Sequence, residues 1–455
     1  MMVLVAVGSA WLLLGRGTTR DQLDAIRTAG TLGICLGGMV GLWLAVRRQR
    51  STELDLLQKY EAHELAVRTM DHTEHDARER RLTELYLKAI EQLGSDKAAV
   101  RIGGIHALER VAQDNPNLRQ TVVDVVCTYL RSPYNPPGQS GSRRLGVRRP
   151  LLASTSARGM STSISRGSAP MTPLPNEVDD AAWQEKEVRL TAQRLLQRHL
   201  APDFGHLPAS TFWKGIDLDL TGATLVDFDL RGCRVGNADF TRARFIGYAR
   251  FTTTRFTGHS GFAGAQFFDG AEFSGAQFSN DAWFNGARLA GDSSFRWAKF
   301  TRVTWLNSAQ FGGTVDFDEA EFGDQAWFDG CKFAGKVRFS KANFVGLVRF
   351  VGAEFVNDTS FSNATFRKEV EFKRTRFVGD ADFDDATFTG DAWFGSVRFV
   401  RNALFSNVQF CGDVGFGDVE FPPFTLFQGV KFTGGTWIDA TGFYDRIPDS
   451  LAKFM

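Results

Sequence analysis

With 455 residues the chain is too long for one ordinary domain, and its 41 Phe, all beyond residue 200, signal repetition and not an average globular composition. The formal net charge is +1, and residues 211–455 hold 26 Lys+Arg against 30 Asp+Glu, a balance of −4 that is neither a nucleic-acid footprint nor a strong acidic decoy. Cys35, Cys127, Cys233, Cys331 and Cys411 have no paired spacing, which argues against a disulfide framework or a zinc site and fits free thiols in a reducing compartment.

Residues 1–50 read as a membrane anchor. Met1 to Leu14 is apolar but short, with no basic start and no small-residue cleavage site, so it is expected as the shortened first helix of a hairpin, not as a signal peptide. Gly15 to Thr28 is then the external loop. The second span is 29–46, uncharged and followed at once by Arg47, Arg48 and Arg50, which by the positive-inside rule places the rest of the chain in the cytoplasm. Gly33, Gly37 and Gly41 recur every fourth residue, a spacing that lets another membrane helix approach closely.

Residues 51–131 read as helical. Ser51 to Leu93 lacks Gly and Pro, and one continuous helix there would extend roughly 60 Å at 1.5 Å per residue. His63, His72 and His75 lie on it without an HExxH arrangement, so a solvated face is expected and no metal. Ser95 offers an N-cap for a helix with Ala98, Ile102, Ile105, Leu108 and Ala112 on one face; after Asn115 and Pro116 a second helix presents Leu118, Val122, Val125, Val126 and Tyr129. The two resemble a HEAT-like hairpin. Gly103 and Gly104 follow no strand and precede no Lys-Ser/Thr, which favours close helix packing over a phosphate loop.

Residues 132–176 turn to Pro, Ser, Gly and Arg and read as a disordered basic linker. Arg143, Arg144, Arg148 and Arg149 are its expected contacts with anionic lipid. Residues 177–210 return to helix, with Val188, Ala192, Leu195, Leu196 and Leu200 on one stripe that can cover the open end of a repeat array.

From 211 to 445 the chain repeats, leaving 446–455 as a tail. Leu220, Leu225, Leu230, Val235, Phe240 and Phe245 recur every five residues; from Phe251, Phe256, Phe262 and Phe267 onward the step alternates between six and five as far as Phe443. Two places before nearly every large residue stands a small one, such as Ala265, Ala271 or Ala276, and Cys331 and Cys411 are assigned to the same class. Steps of five and six do not return to one helix face, but an extended chain that turns a corner at each step can point all of these residues inward. Alternating steps stack in register only around an even number of sides, so four sides predicts a coil of 22. Trp283, Trp305 and Trp327 are 22 apart, and Trp393 and Trp437 keep the same phase.

Five-residue units with a large centre and Ala two before it resemble the pentapeptide-repeat family, which implies a mainly β fold, a right-handed quadrilateral parallel β-helix. With the N-terminal helices, the chain is similar to the membrane-anchored, actinobacterial type of that family. The resemblance implies a non-catalytic protein without cofactor or small-molecule substrate. The expected role is a membrane-tethered scaffold for an unidentified protein partner, with Trp283, Trp305, Trp327, Trp393 and Trp437 as the candidate partner-binding column. Some soluble relatives mimic duplex DNA and bind topoisomerase, an alternative that needs a far more negative surface than −4. No catalytic motif is present in the sequence, and Asp316, Asp318 and Glu321 are expected as solvated outward positions.

Overall fold

The computed structural model describes residues 7–8, 11, 19–137, 175–202 and 211–438. The rest of residues 1–14, residues 138–174 of the linker, with Arg143, Arg144, Arg148 and Arg149, and the tail 446–455 lie outside the described residues. The chain divides into two units, Met1–Glu84 and Leu85–Met455.

Helix α1 spans Thr19–Leu93. It begins ten residues ahead of the expected span, so Thr19–Thr28 is helical and not a loop; no Pro or Gly interrupts Thr19–Thr28, and its Leu, Ala, Gln and Arg favour helix. Within α1, Ile26–Ser51 is long and apolar enough to cross a membrane, with mean hydropathy 1.8. The helix then runs on without a break through the polar stretch containing His63, His72 and His75, all exposed.

In the second unit, α2 (Ala98–Asp114), a short 3-10 turn (Pro116–Leu118), α3 (Arg119–Arg131) and α4 (Pro175–Leu200) pack together. The N-cap of α2 is Lys97 and not Ser95; the Ser95 hydroxyl instead accepts the Lys97 amide at 3.2 Å, from a position two residues too early to cap the helix. Gly104 is where α2 crosses α1, since a Cβ there would meet the Leu93 amide nitrogen at 2.8 Å, whereas Gly103 faces open space. The buried face of α3 is Val122, Val123, Val126, Cys127 and Leu130. Leu118, Val125 and Tyr129 are only half buried, because α3 is pressed between the other helices and the first strand of the repeat and needs two apolar faces. On α4 the stripe Val188, Ala192, Leu195, Leu196 and Leu200 is buried throughout.

Residues 218–438 form a parallel β-solenoid of four sheets, with 11, 9, 10 and 9 strands, and between residues 238 and 416 each turn of chain adds one strand to each sheet in a fixed order. The first coil is short, pairing Leu218 with Ala238 and Thr224 with Arg244, 20 residues on. Arg234 pairs with Arg255, 21 on, and from there the register is 22, as in Ala282 with Thr304. This is the five-residue rhythm giving way to the alternation of six and five. Ten steps along the longest sheet at roughly 4.8 Å each make a solenoid about 48 Å long.

Two corner types produce the two steps. At the five-residue corner a tight turn closes from the Ala287 amide to the Phe284 carbonyl at 3.0 Å, and its third residue, Gly286, has φ +67°. That left-handed position recurs every 11 residues; Asn363 (+60°) and Asp385 (+60°) tolerate it, while Trp297, Glu319, Lys341 and Arg374 are held in it by the repeat. At the six-residue corner the constraint is space. A Cβ on Gly313 would meet the Asp292 amide nitrogen of the preceding coil at 2.6 Å.

Inside, the phenylalanines stack coil on coil: Phe245 on Phe267 with centroids 4.4 Å apart, Phe366 on Phe388 at 4.7 Å. Each such ring removed from water contributes about 1.5–3 kcal/mol. Cys331 is buried among them, but Cys411 is exposed. It follows Phe410 directly instead of preceding a core residue by two, so the alternation of the strand turns it outward.

Candidate functional site

The longest sheet carries the outward tryptophans. Its strands read buried-then-outward: Ala282, Thr304, Ala326 and Ala392 point in, and the next residue, Trp283, Trp305, Trp327 and Trp393, points out before the chain returns inward at a core residue such as Phe284. Strand alternation alone therefore fixes their direction. The register puts Asp239, Gly261, Trp283, Trp305, Trp327, Arg349, Glu371, Trp393, Gly415 and Trp437 in one column.

The column is a partly covered ladder. Trp283 and Trp305 stack with centroids 5.8 Å apart, and His259 stacks on Trp283 at 5.0 Å. Trp393 tilts across Gly415 to within 5.9 Å of Trp437, and a Cβ on Gly415 would meet the Trp393 ring at 2.8 Å. Four of the indoles are half buried and Trp437 is 54% exposed.

Arg349 and Glu371 are column members that sequence reasoning did not single out. The Arg349 guanidinium lies 5.0 Å from the Trp327 ring centroid, 3.2 Å from an Asp329 oxygen and 3.6 Å from a Glu371 oxygen. Burial pushes the Asp329 carboxyl above its ordinary range, against the pull of Arg349. Extending the phase of 22 from the tryptophans to the charged residues would have found them.

Where Gly261 stands in the column a surface groove of about 390 Å³ opens, lined by Asn237, Asp239, Thr241, His259, Trp283 and Asn285. On the sheet two corners further round, Asp316 is nearly buried and not solvated as expected, because Arg338 lies across it at 2.7 Å. Asp318 beside it is pushed upward by burial and by Asp316.

Gly33, Gly37 and Gly41 have no atom within 4 Å of the point a Cβ would occupy. No group of three or more His, Cys, Asp or Glu placed to hold a metal ion occurs among the described residues.

At the start of the solenoid, α4 lies against the first coil. The Gln193 amide donates to the Val226 carbonyl at 2.8 Å and accepts the Val226 amide at 3.2 Å, standing in for the next strand. Gln120 makes the equivalent pair with Asp217, and Arg131 pairs with Asp219. Trp213 stacks on the buried His199 at 3.9 Å, and His199 reaches Glu109 at 2.8 Å.

Four stacked sheets closed around an aromatic core, with an aromatic column outside and no catalytic constellation assembled among the described residues, define a repeat protein of the β-solenoid class. The particular repeat follows from two matches to family models described as pentapeptide repeats: residues 219–258, in an eight-copy form, and 295–343, 328–376, 350–398 and 372–420, in a nine-copy form. Residues 219–258 and 295–420 are thus built of pentapeptide repeats. No curated protein and no solved structure matches it.

Proposed function

We propose that this protein is a non-catalytic scaffold, tethered to the membrane by Ile26–Ser51, that presents the tryptophan column of its solenoid to a protein partner. The observation that carries the reading is the column: five indoles at one phase on a rigid wall, more than solubility or folding of the outer surface requires. Aromatic side chains held without rotamer freedom are favourable anchors, because little entropy is lost when a partner covers them. The basic Arg47, Arg48 and Arg50 support a cytoplasmic placement of the solenoid, and the helices together support kinship with the membrane-anchored, actinobacterial type. The four sheets visited in strict rotation support a quadrilateral section, and the right-handed winding is what the likeness to pentapeptide repeats implies.

The test is crosslinking in intact cells, followed by identification of captured proteins. Trp305→Ser together with Trp327→Ser should abolish capture while the circular dichroism of the solenoid is retained. Capture that persists would remove the column as the site. The topoisomerase-binding alternative gains nothing from the outer wall, where Arg338, Arg349, Arg376 and Arg398 are interleaved with the acids.

A further inference from the structure

We infer that the polar part of α1 beyond the span pairs with the same helix of a second copy of this chain, as a parallel two-stranded coil in contact from Leu56 to Met70; the inference rests on the membrane tether of the proposed function. Every described side chain from Gln58 to Arg81 is exposed, among them Tyr60 at 72% and Met70 at 65%. Apolar side chains on a long helix in water, with none of the described residues covering them, make an unpartnered face. Their order gives that face a direction. Leu56, Tyr60, His63, Val67 and Met70 follow one another at steps of four, three, four and three, the spacing that keeps one seam of a helix turned towards a supercoiled neighbour. Leu65, also exposed, stands outside the seam.

The same phase of seven runs back into the span. Cys35 and Leu42 share one core position with Leu56, His63, Met70 and Ala77, and Met39 and Val46 share the other with Tyr60 and Val67, whereas Gly33, Gly37 and Gly41 fall outside the seam. Gln49, Glu53 and Glu74 interrupt the apolar run, so the seam beyond the span is roughly 20 Å long at 1.5 Å per residue. So short a contact gains from being made between tethered copies, because a shared membrane holds them at high effective concentration. The membrane also selects the occupant. Copies held by Ile26–Ser51 sit at one depth and point one way, so each seam residue meets itself at the same height. Lys59 and Glu64 stand at the flanking positions that face one another across a parallel pair, with opposite charge. Glu64 already bonds Arg68 at 2.7 Å in its own helix, so the cross-pair sets direction more than strength.

The full chain is oxidised with copper phenanthroline in the membranes of the cells that express it, carrying single added cysteines in a Cys35→Ser, Cys411→Ser background whose remaining thiols are buried. Leu56→Cys, Tyr60→Cys and Met70→Cys should give disulfide dimers, and Gln58→Cys and Leu65→Cys should give none, because the bond needs Cα atoms within about 7 Å. His63→Glu together with Val67→Glu should abolish the dimer at Met70→Cys while the circular dichroism of the chain is kept. Equal dimer at all five positions, dimer only at Gln58→Cys and Leu65→Cys, no dimer anywhere, or a dimer that survives the two added charges overturns the inference. A seam shielded from a thiol reagent without any dimer assigns it to a different protein and overturns it as well. Fractionation judges the tether separately: a chain in the soluble fraction that keeps the seam pattern loses the tether and not the pairing, and a membrane-bound chain without the pattern loses the pairing alone.

Discussion

Phe350 lies between Phe328 and Phe372, with ring centroids 4.7 and 5.0 Å away, and its plane is within 3° of that of Phe372. It is fully buried. Phe350→Ala should therefore open a cavity in the middle of a stack that neighbouring coils cannot close, at a cost of about 3–5 kcal/mol in chemical denaturation of the solenoid. A loss below 1 kcal/mol would mean that the column is not packed.

The two corner types predict opposite responses to substitution. Gly313→Ala places a methyl against the Asp292 amide of the coil before and should cost about 1–3 kcal/mol through overpacking. Gly352→Asn adopts a left-handed turn position with open space around it, as Asn363 already does, and should change stability by less than about 1 kcal/mol. Paired thermal melts of the two variants check the contrast.

Gln193 closes the first edge of one sheet by offering its amide as a surrogate backbone. Gln193→Leu keeps the volume but leaves the Val226 N–H and C=O without partners in a buried place, so a loss of about 1–3 kcal/mol is expected. Hydrogen exchange should show fraying of residues 224–226 before the rest of the solenoid opens.

Glu109 gives a pH signature. The hydrogen bond to His199 holds its carboxyl at about 2 against an ordinary 4.5; burial opposes this, while His106 and Arg198 reinforce it. A depressed carboxyl contributes stability that is fully present above about 4.5 and is lost as pH falls towards 2. Wild type should be more stable than Glu109→Gln at pH 7, and the gap between their thermal midpoints should narrow steadily below pH 4.5. A gap that stays constant down to pH 2 would show that the charge contributes nothing to the joint.

The repeat was legible because its signal is a period, and a period survives without knowledge of contacts. The coil of 22 and the inward phenylalanines follow from spacing alone. Cys411 was misplaced because it was assigned by residue type and not by phase. Ser95 was misplaced as a cap because an eligible side chain says nothing about where the backbone enters the helix. The joint made by Gln193, Gln120 and Trp213 has no period and no motif; Gln193 finds Val226 33 positions away, Gln120 finds Asp217 97 away, and the Trp213 indole N–H donates to Gln113, 100 away, so only the fold brings them together. The column was visible as tryptophans, while its gap at Gly261 was not, since a missing side chain draws notice only once its neighbours are known.

The register of 22 makes the length of the solenoid a quantised property. Excising residues 326–347 removes one complete storey, and every later column stays above its old foundation, with Arg349 landing beside Trp305 in place of Trp327. Excising 11 residues keeps the six-five grammar intact yet rotates everything downstream by half a revolution, sending Trp393 and Trp437 to the opposite wall. Gain or loss of whole storeys is thus a route by which such a chain can change its reach without changing its face.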